Sequence, residues 1–436
     1  MNNYNYATIL FAFFGLTSLI RAQEVLKVEE AVQIALENNY QIKIASNELQ
    51  IDEISVSPAN AGMLPQIGFN LTDNNSIQYL SQTRSDGSVV ERDNAKNNSL
   101  NYGVAMDWTL FDGLRMFADY EQLKESQKLG EAQLKQVVLN KAGEVMITYF
   151  DLVQQKQQLT ALDSTIIISK QRVDLAYNRF TIGKASKLEV LNAQVDLNTD
   201  ETLMQRQKEL YMNTKVQLNE YLARDLKIDF EVVTEIFVDQ GLVLPELETL
   251  VEKENPAIQV ELINKRISEL ELKQTKALRY PTIFASTGYN FGRSESSLGF
   301  TTSSNSRGWN YGFGASLNVF DGFNQNRNEK IAKIQIENKE VVIAQRTQEL
   351  MSLVNTTYQT YLTNISLIEL EGKNEAIAQE NLEITVEKYR IGIIPTIEFR
   401  TAQLNYINAM VRHSNAKFQA KLSEIILKQL AGNLVL

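Results

Sequence analysis

The feature that most constrains this chain is that it is written twice. Asn101-Tyr102-Gly103 precedes Phe111-Asp112-Gly113, and Asn310-Tyr311-Gly312 precedes Phe320-Asp321-Gly322, each element displaced by 209 positions. The same displacement relates Phe180-Thr181-Ile182-Gly183 to Tyr389-Arg390-Ile391-Gly392, Glu189 to Glu398, and Ala193-Gln194 to Ala402-Gln403. Upstream, Asn39 and Pro65 are matched by Asn255 and Pro281 at a displacement of 216. Chance supplies one such match, not a co-linear series. Copies this long are not the short units of a solenoid. They predict two similar halves that use one order of elements.

Each half carries two stretches of period-two alternation. From Leu100 to Leu110, Leu100, Tyr102, Val104, Met106, Trp108 and Leu110 are apolar, and the residues between them are small or polar. The second copy sets Trp309, Tyr311, Phe313, Ala315, Leu317 and Val319 against Asn310, Gly312, Gly314, Ser316 and Asn318. That is a strand with one oily and one wet face. Shorter partners precede each, over Gln66–Thr72 and Ile283–Gly292, and the stretches Ser81–Asn98 and Arg293–Arg307 read as polar links. A soluble sheet with one face on a core would look similar. Two features favour a barrel in lipid. The strands reach the roughly 9–11 residues that cross a bilayer when tilted. Aromatics (Trp108, Trp309, Tyr311, Tyr289, Phe291) gather towards their ends, like an interfacial girdle. Four strands cannot close a barrel, for which about eight is the smallest workable number. An open edge in lipid leaves backbone groups unpaired. Several chains must then share one barrel, and three would supply twelve strands with room for a wet lumen.

The remainder reads as helix. After each Phe-Asp-Gly comes a proline-free stretch, up to Gly183 or Gly392. Each is about 70 residues, roughly 100 Å of helix. Leu152, Leu159, Ile166, Val173 and Phe180 are spaced seven apart, and Tyr361, Ile368, Glu375, Leu382 and Tyr389 repeat the stripe with Glu375 breaking it. A seven-residue repeat predicts coiled-coil packing. Gly183 and Gly392 permit sharp turns, and Pro395 enforces the second. The return pass is interrupted at Arg224–Pro245, which reads as a short mixed strand and loop segment. Helix is expected again over Glu246–Leu278, with Val28–Ser55 and Thr396–Leu430 as the analogous broken pair.

Composition excludes several functions. A net charge of −10 argues against nucleic acid as a partner, which needs a basic face. The chain has no cysteine and one histidine, His413, so thiolate chemistry, a Cys nucleophile and a Ser-His-Asp triad have no footing. Gly312-Phe313-Gly314 lies in a strand and opens no helix, so it is no nucleotide fingerprint. No carboxylate pair, nucleophile or phosphate loop stands at a demanding spacing; no enzyme, cofactor or metal is expected. Ala7–Ile20 is apolar but short for a membrane span, and Arg21-Ala22-Gln23 follows. It reads as an export signal cut after Ala22.

This order of elements resembles the TolC family of outer-membrane efflux and secretion channels. The resemblance rests on the two Phe-Asp-Gly corners and on two tips, RFTIGKASKLEVLNAQ from Arg179 and KYRIGIIPTIEFRTAQ from Lys388. It covers essentially the whole mature chain. It implies an α+β membrane protein: a homotrimer whose shared twelve-stranded barrel sits in outer-membrane lipid above a periplasmic helical tunnel. It also implies a periplasmic adaptor and an inner-membrane transporter as partners. Gly183 and Gly392, with Phe180 and Tyr389, match the family's adaptor-docking tips; Glu189 and Glu398 match the acids of its periplasmic gate. Phe111, Asp112, Gly113, Phe320, Asp321 and Gly322 match its barrel-to-helix corners. The chain departs from the family at Thr401, where a second acid is common, and at Ile394, where a basic residue occurs. The expected divisions are a signal at 1–22, helix 23–64, membrane hairpin 65–113, helical hairpin 114–222, an equatorial segment 223–246, helix 247–280, membrane hairpin 281–322 and helical hairpin 323–436. Each tip residue also has an ordinary reading: the glycines as helix stops, the acids as first-turn residues favoured by the dipole, the aromatics as coiled-coil packing. A periplasmic coiled-coil scaffold or adhesin is the rival function, and efflux is not separated from protein secretion.

Overall fold

A computed structural model describes residues 25–297 and 301–434, so the export-signal expectation lies outside the described residues. The chain divides into two compact units.

The second unit comprises Ser46–Leu134 and Ala257–Arg346 and contains the sheet. Its strands are β1 (Gln66–Thr83), β2 (Val89–Phe111), β3 (Thr282–Ser296) and β4 (Ser303–Ser316). They pair antiparallel in the order β1-β2-β3-β4, so β1 and β4 are open edges. The duplication is visible as two hairpins side by side. One face gathers the alternating aromatics: Tyr102 stacks on Phe291 at 5.0 Å, and Tyr289 meets Phe291 and Trp309 edge-on at 5.2 and 5.3 Å. On the other face small residues let the strands approach. A Cβ on Gly103 would fall 2.5 Å from the Tyr289 carbonyl, and one on Gly288 2.7 Å from that of Val104.

Two expectations are corrected here. Ser81–Asn98 is not merely a link: β1 and β2 run to Thr83 and Val89 around a turn at 84–88, closed by the Arg84 amide donating to the Ser88 carbonyl and Asp86 accepting from Ser88. The last rung between β2 and β3 is Asn97–Ser296, so the first hairpin outruns the second. The displacement falls from 216 to 209 between Pro65 and Tyr102, leaving seven more residues in the first copy there. In the other direction, Leu317–Val319 lie beyond β4 rather than in it.

The first unit holds residues up to Ala45, with Lys135–Pro256 and Thr347 onward. The described helices, of which α6 beyond Pro256 and parts of α2, α3 and α7 belong to the second unit, are α1 (Val28–Asn38), α2 (Tyr40–Ser55), α3 (Arg115–Thr181), α4 (Lys187–Tyr221), α5 (Leu244–Glu254), α6 (Pro256–Ala277), α7 (Asn324–Ile391) and α8 (Thr396–Leu430). The uninterrupted 67- and 68-residue helices α3 and α7 are the two proline-free stretches. Most of their seven-residue stripes face inward: Leu152, Ile166, Tyr361, Leu382 and Tyr389 are buried, while Phe180 at the end of the first stripe is exposed. No described helix is long and apolar enough to cross a membrane.

The helices expected over Val28–Ser55 and Glu246–Leu278 are each broken once, at Asn39 and Asn255, whose backbones turn extended. Asn255 precedes Pro256, which disfavours helical geometry there. The Arg224–Pro245 segment also differs from expectation. Its only described strand contact is one parallel bridge, Val25–Glu231. It is held by side chains instead. Phe230, Val232 and Ile236 enter a core with Leu26, Val145 and Leu218, and Tyr149 donates its hydroxyl to the Leu26 carbonyl at 2.8 Å.

Candidate functional site

The two corners are built alike. Asp112 accepts the backbone N–H of Met116 at 2.9 Å, and Asp321 accepts that of Gln325 at 2.7 Å. Each carboxylate therefore satisfies an orphan amide in the first turn of a long helix, where its charge also suits the dipole. The next two residues of each corner are left-handed: Gly113 and Leu114 at φ +74° and +68°, Gly322 and Phe323 at +68° and +63°. Surroundings differ. A Cβ on Gly113 would lie 2.3 Å from the Ala277 carbonyl, whereas Gly322 faces open space, and Phe320 beside it is exposed.

At the tips, Gly183 and Gly392 are left-handed, at φ +76° and +84°, a conformation that glycine adopts without a steric penalty. Within the first unit the end of α7 and the start of α8 meet the start of α4. Tyr389 Oη and Thr396 Oγ1 donate to one oxygen of Glu189 at 3.0 and 2.9 Å, and an Arg179 guanidinium nitrogen lies 3.5 Å from it. The Arg179 guanidinium lies 5.4 Å from the centre of the Tyr389 ring, which also packs on Phe399 at 5.0 Å. Burial pushes the Tyr389 phenol above its ordinary range.

The repeat counterparts are unused in the single chain. Tyr389 is 1% exposed and Phe180 is 40% exposed; Lys187, the counterpart of Thr396, and Glu398, the counterpart of Glu189, are exposed. The structure thus brings together Glu189 and Tyr389 but leaves Phe180 and Glu398 at the surface. Trp108 stands apart from the aromatic cluster, donating its indole N–H to the Met63 carbonyl at 2.9 Å.

Farther from the tips lies a buried polar network that sequence reasoning missed. Asp200, 1% exposed, takes a two-pronged ion pair from Arg400 at 2.8 and 2.9 Å and a bond from Ser169 at 2.6 Å. Arg172 pairs with Asp196 at 2.5 Å. Gln403, fully buried, bonds Ser169 at 2.8 Å and accepts from Arg400 at 2.9 Å. The repeated Ala-Gln pair was the available signal, because it places Gln403 at a matched position without saying why. No group of acids and histidines able to hold a metal occurs among the described residues.

Comparison with known proteins places this geometry. The family model for the outer membrane efflux protein matches residues 31–224 and 249–433. The chain belongs to the outer membrane efflux protein family. Its fold is that of the TolC-like channels. It is similar to the Campylobacter jejuni CmeC outer membrane channel, with TM-score 0.79 and 17% identity over 93% of this chain and 85% of that one. It is also similar to VceC of Vibrio cholerae (TM-score 0.74, 13% identity, 93% and 96% covered). A third likeness is to the open state of the Neisseria gonorrhoeae MtrE outer membrane channel (TM-score 0.72, 15% identity, 93% and 89% covered). No curated protein matches the chain. Members of the outer membrane efflux protein family are channel proteins rather than enzymes, and the α+β arrangement of long helices with a four-stranded sheet is theirs.

Proposed function

We propose that this protein is the passive outer-membrane exit duct of a tripartite efflux or type I secretion system. Three copies pool their sheets into a twelve-stranded barrel in outer-membrane lipid, with the helices in the periplasm. The observation that carries this reading is the four-stranded sheet with both edges open and a face of exposed aromatics. A row of unpaired backbone groups is costly in lipid, and closure removes it. The duplication supports the same reading. At the tips, the seam used inside the chain has a repeat copy left bare: Tyr389 and Glu189 meet, while Phe180 and Glu398 wait at the surface. A neighbouring copy would satisfy the second set.

In this reading Gly183, Gly392, Phe180 and Tyr389 form the tips that a periplasmic adaptor grips, and the adaptor links the duct to an inner-membrane transporter. Three copies of Glu398 converge on the axis. Like charges in a narrow neck focus the field and draw cations. Glu189 backs that neck through its bonds to Tyr389 and Thr396. Opening requires a partner that binds the open arrangement more tightly.

The test is mass and conductance. In detergent the chain should run as a trimer, and planar-bilayer currents should be cation-selective and blocked by divalent ions. Glu398→Gln should relieve the block. A detergent-free monomer would favour the scaffold or adhesin reading, and unaltered block in Glu398→Gln would remove that residue from the neck.

A further inference from the structure

Glu375 breaks the apolar stripe of α7, and His413 is the chain's only histidine. The structure joins these two exceptions. Nδ1 of His413, on α8, lies 2.5 Å from Oε2 of Glu375. The ring rests over Gly372, a glycine inside a 68-residue helix, where a Cβ would sit 3.3 Å from Nε2. A glycine weakens a helix interior, and here its bare face is the seat of the imidazole. One turn away, Arg412 pairs with Glu371 at 3.0 Å across the same two helices.

The first half of the chain supplies an internal control. At the displacement of 209, Glu375 corresponds to Ile166, His413 to Met204, Arg412 to Leu203 and Glu371 to Leu162. Ile166 and Met204 are both buried. Where one helical hairpin keeps an apolar pair that no proton can alter, the other has an imidazole against a carboxylate.

We propose that Glu375 and His413 form a proton-operated brace between α7 and α8, which stiffens the second helical hairpin in acid and releases it as pH rises. Histidine is the side chain whose charge ordinarily changes between about pH 5 and 8. Protonated, it gives a charge-assisted hydrogen bond to Glu375. Neutral, it leaves a partly buried carboxylate with a weaker partner in a seam built for packing. The surrounding charges are few and mostly spoken for. Glu371 is paired with Arg412, and Lys156 of α3 with Glu231 at 2.7 Å. Lys417 of α8 lines the same cavity of about 300 Å³ beside the ring. Tyr406 of α8 also senses Glu375, and burial holds its phenol above the ordinary range, neutral throughout this window. The brace lies about four helical turns from Glu398 on α8, so it sets the stiffness of the hairpin that carries this acid.

The experiment is hydrogen exchange on the full chain in detergent micelles, with rates corrected for intrinsic pH dependence. Peptides covering 368–382 and 406–417 should be protected about two- to fivefold more near pH 5 than near pH 8, the size expected of a single partly exposed ion pair. The matching peptides at 159–173 and 197–208 should not respond. Glu375→Ile with His413→Met, which installs the first half's pair, should flatten the response. His413→Lys, a permanent cation, should hold the acid-like protection near pH 8. The brace is refuted if wild-type protection in the two hairpins moves in parallel, or if the response survives in either variant. Should the double variant fail to assemble, the comparison of hairpins in wild type and the Lys variant decides.

Discussion

Asn39 and Asn255 make one bond twice: Asn39 Nδ2 donates to the carbonyl of Tyr221 at 2.9 Å, and Asn255 Nδ2 to that of Leu430 at 2.8 Å. Tyr221 and Leu430 are the last residues of α4 and α8, so each asparagine breaks a short helix pair and ties the break to the end of a long return helix. Both are buried. Asn39→Ala and Asn255→Ala should each cost about 1 kcal/mol or somewhat more, because a carbonyl loses its donor in a partly buried site. Denaturant midpoints of the two variants should fall by similar amounts with unchanged slopes. A loss in one half only would mean the two bonds are not equivalent.

Much of this was legible from pattern. Long helices announce themselves by what they lack, here proline between each Phe-Asp-Gly and its tip glycine, and the alternation around Tyr102 and Tyr311 marks strands directly. Harder features depended on partners far along the chain. The helix break at Asn255 had a local signal in Pro256; at Asn39 the signal was weaker, an asparagine whose Oδ1 accepts the Gln41 amide of α2 at 2.9 Å, and the bond to Tyr221 that ties the break down could not be read locally. The longer first hairpin was encoded in the drop from 216 to 209, yet its outer rungs, rich in Asn, Ser and charge, lack the alternation that identifies a strand. The Asp200 network and the His413 brace were invisible because an ionic residue on a helix looks solvated until its neighbour is known.

The corners offer a contrast. Gly113→Ala places a methyl into the Ala277 carbonyl as well as forcing a left-handed alanine; Gly322→Ala incurs only the backbone strain in the lone chain. Strain of this kind is about 1–2 kcal/mol, and the clash adds to it. If chains were separate, Gly113→Ala should be clearly the more damaging in thermal melts. In the proposed trimer a neighbouring copy fills the space at Gly322, and the two variants should converge. Measuring both in detergent therefore reports on assembly as well as on folding.

Alkali should loosen the first unit. Burial holds the phenols of Tyr149, Tyr211, Tyr361, Tyr389 and Tyr406 above their ordinary range. Raised values in the folded state mean that the native chain keeps protons the unfolded chain releases. Their stabilisation is complete below about pH 10, where free tyrosine titrates, and is lost as pH rises through the folded values. Three of these phenols are also bond donors: Tyr149 to Leu26, Tyr361 to Asp239 and Tyr389 to Glu189. Melting temperature should decline from about pH 10 upward, in step with phenolate absorbance. Tyr389→Phe should delay only the exchange changes at the tips.

The ion pair between Asp200 and Arg400 yields the sharpest expectation, because the repeat supplies its replacement. At the matched positions the other copy has Ala409 for Asp200 and Leu191 for Arg400. Removing one partner leaves a charge stranded among buried groups. Asp200→Ala should therefore cost about 3–5 kcal/mol, the usual penalty for breaking a buried pair from one side. Arg400→Leu should cost as much or more, since it orphans Asp200 and also strips Gln403 and Asp196 of a cationic neighbour. The double variant, Asp200→Ala with Arg400→Leu, replaces both charged residues with the residue types found at their separate repeat positions. It should recover a large part of the loss, because no charge then remains unmatched at that pair. Equilibrium unfolding of the three variants closes the cycle. If the double variant is as unstable as the sum of the singles, the pair is uncoupled, and Ser169 and Gln403 rather than the ion pair hold Asp200 in place.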